Sequence, residues 1–194
     1  MTQKINLLIP TYFKIGYLGI GKYNSSKKFR NCFQIWRSIL ERCYSDDIKY
    51  HTYVDCTVDE KWHNFQNFAE WYFNNHVIDF QLSKNILFKN NKIYSEETCC
   101  FVPQQIVLLF NNSKNKKSDE CPVGVSINKK KYLAKICIKN KIVNLGTFDT
   151  IEKAFNTYKT YKEGYIKLLA FNWEYKITEK VFNALNNYVV EITD

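Results

Sequence analysis

The chain lacks any apolar run long enough to cross a bilayer. Its longest, such as Ile106–Phe110, falls far short of the ~20 residues a spanning helix needs. It also lacks a CxxC pair, and its seven cysteines, an odd number, form no disulfide or zinc framework. No secretory signal is visible at the N-terminus, so reduced thiols in a cytosol are the expectation. Acidic residues are short as well: 19 Asp and Glu stand against 28 Lys and Arg, for a net charge of +9. That balance decides little about fold. It favours a polyanionic partner, because lysines near phosphates release condensed counterions. The alternative source of the charge is the lysine, asparagine and isoleucine usage of an AT-rich genome.

What is present is core material. Of 194 residues, 45% are hydrophobic and 16% aromatic, enough for one large domain or two small ones. The run NNSKNKKSDE, residues 111–120, has no apolar periodicity and reads as a linker. Ahead of it, Phe33, Trp36, Leu40 and Cys43 recur at helical spacing, as do Trp62, Phe65, Ala69 and Tyr72. Thr57 and Glu60 suit a capping box before the second helix, with a short strand over Tyr53–Cys56. A third helix is expected over Thr98–Phe110, with Pro103 in its first turn or breaking it.

After the linker the period changes. Val123–Asn128, Tyr132–Ile138 and Ile142–Phe148 read as strands joined by lysine-rich turns. A helix follows, capped by Asp149 with Glu152, its apolar face formed by Ile151, Ala154, Phe155, Tyr158, Tyr165 and Leu168. A final helix carries Ile177, Val181, Leu185 and Tyr188. The expected class is α+β: an N-terminal helical unit over 1–110, the linker, a three-stranded antiparallel sheet on one helix over 121–170, and a helical extension over 171–194. One sheet face is covered by the helix, and the other is left for solvent or a partner.

The stretch PVGVSINKKKYLAKICIKNKIVNLGTFDTIEKAFNTY resembles the ethylene-response-factor (Apetala-type) DNA-binding domain. The resemblance rests on Gly124–Val125, Ala134, Ile136, the segment LGTFDT at 145–150, Ala154 and Tyr158. It implies that the open sheet face lies in the DNA major groove, with Ser126, Asn128, Lys130, Lys135, Cys137, Ile142 and Asn144 facing the groove. The arginines and tryptophans of the plant pattern are almost all missing here. Arginine reads guanine with a bidentate fork that lysine does not copy in full, so weak selectivity for GC-rich sites is expected.

FRNCFQIWRSILERCY, VDCTVDEKWHNFQNFAEWY and LSKNILFKNNKIYSEETCCFVPQQI resemble phage HNH-type homing endonucleases, which often carry such a DNA-binding domain at the C-terminus. The resemblance makes IYSEETCCFVP, residues 93–103, scaffold: Ser95 a helix N-cap, Cys99 and Cys100 packing residues. An HNH nuclease needs a histidine base and side chains that hold one divalent cation. At the corresponding positions this chain has Ser83, Lys84, Thr98 and Val107. Lysine is a poor base at neutral pH, and valine binds no metal. His51, His63 and His76 precede the strand; a relocated site would have to be built from His63, His76 and Asp79.

The expected function is nucleic-acid binding by a phage protein in the host cytoplasm, with cleavage lost and no cofactor. Asn128, Lys129, Lys130, Lys131, Lys135, Lys139, Lys141 and Asn144, with Lys114, Lys116 and Lys117 of the linker, supply the surface. DNA is the expected partner and RNA the next, with no membrane. Two alternatives stand beside it. One is a host-defence inhibitor of anti-CRISPR type, bound to a Cas protein or its nucleic acid. The other is a divergent active nuclease, which would require Mg²⁺.

Overall fold

Aromatic side chains at helical spacing build the first half. α1 (Arg30–Tyr44) buries Cys32, Trp36, Ile39 and Leu40, and α2 (Phe65–Asn75) buries Phe65, Phe68, Ala69, Trp71 and Tyr72. The two helices pack together, and Trp36 Nε1 donates to the Trp62 carbonyl at 2.6 Å, so the indole is buried with its donor satisfied. The computed structural model describes residues 8–110, 121–139 and 141–193. The expected linker 111–120, including Lys114, Lys116 and Lys117, lies outside them. Among the described residues no helix is long and apolar enough to cross a membrane.

Several local expectations are corrected. Thr57 does not cap a helix. It lies in β1 (Thr57–Val58), which pairs in parallel with β3 (Ile93–Tyr94), and its N–H donates to the Lys92 carbonyl. The strand therefore falls just after Tyr53–Cys56, because Ile48–Tyr53 is already a 3₁₀ helix. α2 is capped by Asn64, whose side chain accepts from Gln66 N at 3.0 Å. The single long helix over Thr98–Phe110 is replaced by β4 (Cys100–Pro103) and α3 (Gln104–Phe110). Proline disfavours helical backbone in the residue before it, so Val102 stays extended and the helix starts only after Pro103.

The second half follows the alternating pattern closely. β5 (Val125–Asn128), β6 (Lys131–Ile138) and β7 (Lys141–Phe148) form one antiparallel sheet in that order. β5 starts two residues later than expected because Val125 N donates to the Pro122 carbonyl, closing a turn with Gly124 at φ 82°. α4 (Ile151–Asn172) packs across all three strands, and α5 (Glu179–Asn186) packs on α4. The shared core is Val125, Ala134, Ile136, Ala154, Phe155, Tyr158 and Val190.

Two details of α4 differ from expectation. Its cap is Thr150, which accepts from Lys153 N, while Asp149 is drawn to Lys131 instead. Its buried face runs through Lys162, Ile166, Leu169 and Ala170, leaving Leu168 exposed. The 3.6-residue stripe from Phe155 and Tyr158 passes through position 162, where a lysine conceals it from an apolar count. The Lys162 ammonium lies 5.6 Å from the centre of the Tyr158 ring.

The described chain divides into two compact units: residues 8–78 with Leu82–Phe101, and Asp79–Gln81 with residues 102–193. α3 groups with the second. The architecture is α+β, with the three-stranded sheet on α4 and a helix near the C-terminus.

Candidate nucleic-acid interface

The register of the sheet fixes which side chains share its open face. Val125 pairs with Ala134, Ile136 with Val143 and Tyr132 with Phe148, and these turn toward α4. The alternate pairs must then face away. They are Ser126 with Leu133, Asn128 with Lys131, Lys135 with Asn144, Cys137 with Ile142, and Leu133 with Thr147. Ser126, Asn128, Lys135, Cys137, Ile142 and Asn144 thus share one face. Lys130 is instead in the two-residue turn between β5 and β6.

Leu133 and Thr147 complete this face, although the sequence reading does not single them out. Leu133 was available from simple alternation with Lys135. Thr147 was not, because the register shifts between Ala134 and Lys135, where Gly146 pairs with Ala134 and Asn144 with Lys135. Leu145 is the extra residue of this bulge, and Gly146 beside it has φ 137°. The bulge inverts the alternation. Thr147 therefore faces outward and Phe148 inward.

Charge collects at both ends of this face. Lys129 and Lys130 occupy the first hairpin turn, and Lys139 and Lys141 flank the second; all four are exposed. Lys135 lies between them on the central strand and is half-buried. Among the described residues none of these five lysines is in an ion pair. Lys131 differs. Its ammonium is 3.0 Å from Asp149, which holds that carboxyl below its ordinary value. The charge opposing the lysine cluster therefore includes Asp149, beyond the Asp119 and Glu120 visible next to it in sequence.

The first-unit positions considered for nuclease chemistry serve a hydrogen-bonded loop. Lys84 is only 9% exposed, and its Nζ donates to Asn85 Oδ1 at 2.8 Å and to the Asn91 carbonyl at 2.7 Å. Burial pushes its pKa below the ordinary lysine value. Asn91 Nδ2 returns bonds to the carbonyls of Lys84 and Ile93. Thr98 Oγ1 donates to the same Ile93 carbonyl at 2.7 Å. Ser83 is buried at the end of β2 (Phe80–Ser83), and Val107 is on α3 in the other unit.

Ser95 caps no helix. It and Thr98 exchange backbone-to-side-chain bonds across a single turn, Ser95 N to Thr98 Oγ1 and Thr98 N to Ser95 Oγ. The turn leads directly into β4, so the cap has no helix to start. Cys99 and Cys100 are buried cysteines outside any disulfide, and burial pushes the Cys99 thiol up to about 12. These side chains pack.

Each histidine has its own local partner. His51 Nδ1 is 3.1 Å from the Ile48 carbonyl, and His63 Nε2 is 3.0 Å from the Val58 carbonyl. His76 stacks on Tyr72 with ring centres 4.4 Å apart. Among the described residues no three His, Cys, Asp or Glu side chains gather where they could hold a metal, and the set His63, His76 and Asp79 is not assembled. Compared with known proteins, the chain matches no family model, no curated protein and no solved structure.

Proposed function

We propose that the chain is a nucleic-acid-binding protein that engages duplex DNA through the open face of its β5–β7 sheet. The observation that carries this reading is the exposed sheet face with five lysines, four at its two ends and one between, none held by a carboxylate among the described residues. At ~3.3 Å per residue, Lys131 to Ile138 spans ~23 Å, so the two lysine groups are spaced to meet phosphates on either side of a groove. The longest pair, β6 and β7, is a two-stranded ribbon of the kind a major groove admits.

The proposal includes descent from an HNH-type homing endonuclease with cleavage lost, in a phage protein acting in the host cytoplasm. Lys84 supports the loss. Its ammonium is committed to two acceptors in a closed loop, and Ser83, Thr98 and Val107 offer neither a base nor a strong metal ligand. The direct test is a set of binding curves for duplex DNA, single-stranded DNA and RNA at several salt concentrations. Duplex DNA should bind tightest, with affinity falling linearly on a log–log plot against salt. Salt-insensitive or absent binding to all three would overturn the reading and leave a protein partner, such as a host-defence effector, as the target.

A further inference from the structure

We infer that the sheet face distinguishes duplexes by base composition and prefers A·T-rich DNA. The inference rests on the DNA-binding reading above and deepens it. By register, the β6–β7 ribbon presents Leu133, Cys137, Ile142, Asn144 and Thr147 between the two lysine groups, with Lys135 among them. Ile142 is 69% exposed, and Asn144 and Thr147 are exposed beside it.

The chemistry of these groups is one-sided. In the major groove adenine offers an acceptor and a donor that an asparagine amide meets with two bonds, and thymine offers a methyl group that takes apolar contact. Asn144 suits the first, and Ile142 and Leu133 suit the second. Guanine is read best by a bidentate arginine, and cytosine by a carboxylate acceptor. Between the two hairpin ends the face holds neither; of its two lysines, Lys131 is tied to Asp149, and Lys135 contacts phosphate in this reading. Asn128, on β5, repeats the adenine-reading amide. It lies opposite Lys131, four residues along β6 from the Lys135–Asn144 pair, ~13 Å away along the strand. The two amides therefore address different base pairs. Lysines at the rim position the sheet, while amides and alkyl groups inside it read A·T pairs.

The test uses the full chain and three 20-base-pair duplexes of equal length and charge: A·T only, G·C only, and the A·T duplex with uracil replacing thymine. Fluorescence anisotropy should give at least about fivefold tighter binding to A·T than to G·C. Replacing thymine with uracil removes only the major-groove methyl and should lose part of that preference. Ile142→Ala, a change at an exposed position, should narrow the difference between the thymine and uracil duplexes, with Leu133 left to make the remaining methyl contact. Equal affinity for A·T and G·C, with a normal salt slope, would overturn the inference and leave DNA binding intact. An A·T preference unchanged both by uracil and by Ile142→Ala would also overturn it, since readout would then lie outside this face. Absence of salt-dependent binding to any duplex would instead defeat the underlying DNA-binding proposal.

Discussion

Gly124 turns the chain into β5 at φ 82°, and a Cβ built there would clash with the Tyr158 ring. Two costs combine at this position. A left-handed backbone is unfavourable for an L-residue by ~1–2 kcal/mol, and Tyr158 is buried in the core with little room to move. Gly124→Ala should therefore lower unfolding stability by more than ~2 kcal/mol in a denaturant titration. Gly164→Ala is the contrast, because a Cβ there meets nothing and the residue is interior to α4. It should stabilise by ~0.5–1 kcal/mol. Equal effects from the two changes would contradict the packing described. His76 makes a separate prediction. Burial beside Tyr72 and Phe101 lowers its pKa from the ordinary 6.5, so the folded state disfavours the imidazolium. Its contribution is present above pH 6.5 and is lost as pH falls through the lowered value. Unfolding curves at pH 7.5 and 5.5 should show a smaller acid loss for His76→Phe than for the native chain; an identical loss would remove His76 from the account.

At the scale of elements, the sheet rests on α4 through small residues. Ala134 on β6 and Ala154 on α4 are both fully buried in one cluster, which lets helix and sheet approach closely. Ala134→Leu should overpack this layer and cost ~1–3 kcal/mol, read as a lower thermal midpoint. An unchanged midpoint would mean that the layer has room that the packing denies. The same layer explains what the sequence made legible. Alternation in β5, β6 and β7 and the helical stripe at Ala154, Phe155 and Tyr158 were readable because each face buries one kind of residue. Three local features escaped. The bulge at Leu145 depends on cross-strand register, which one strand does not encode. The second half of the α4 face was hidden by a buried lysine at 162. The short parallel pairing of Thr57–Val58 with Ile93–Tyr94 joins residues far apart in sequence, and local propensity carries no trace of it. Of the candidate site, Asn128, Lys135, Cys137, Ile142 and Asn144 were expected on this face from the resemblance to the ethylene-response-factor domain, whereas the tie of Lys131 to Asp149 required the folded chain.

Over the whole molecule, binding and cleavage make separable predictions. Incubation with supercoiled plasmid and Mg²⁺ or Mn²⁺ should leave the DNA intact, because Ser83, Lys84, Thr98 and Val107 provide no general base. Nicking abolished by His63→Ala or His76→Ala would reveal a relocated centre. The measurement that bears most directly on the central claim is the salt dependence of duplex binding for a Lys130→Ala, Lys135→Ala, Lys141→Ala triple variant. Lys130 and Lys141 are exposed, Lys135 is half-buried on the open face, and among the described residues none is in an ion pair, so these changes should leave the fold intact. Each lost phosphate contact removes ~0.9 from the slope of log affinity against log salt. A sheet-bound complex predicts weaker binding on every sequence and a slope shallower by roughly three. If the triple variant binds with native affinity and slope, the sheet is not the nucleic-acid surface.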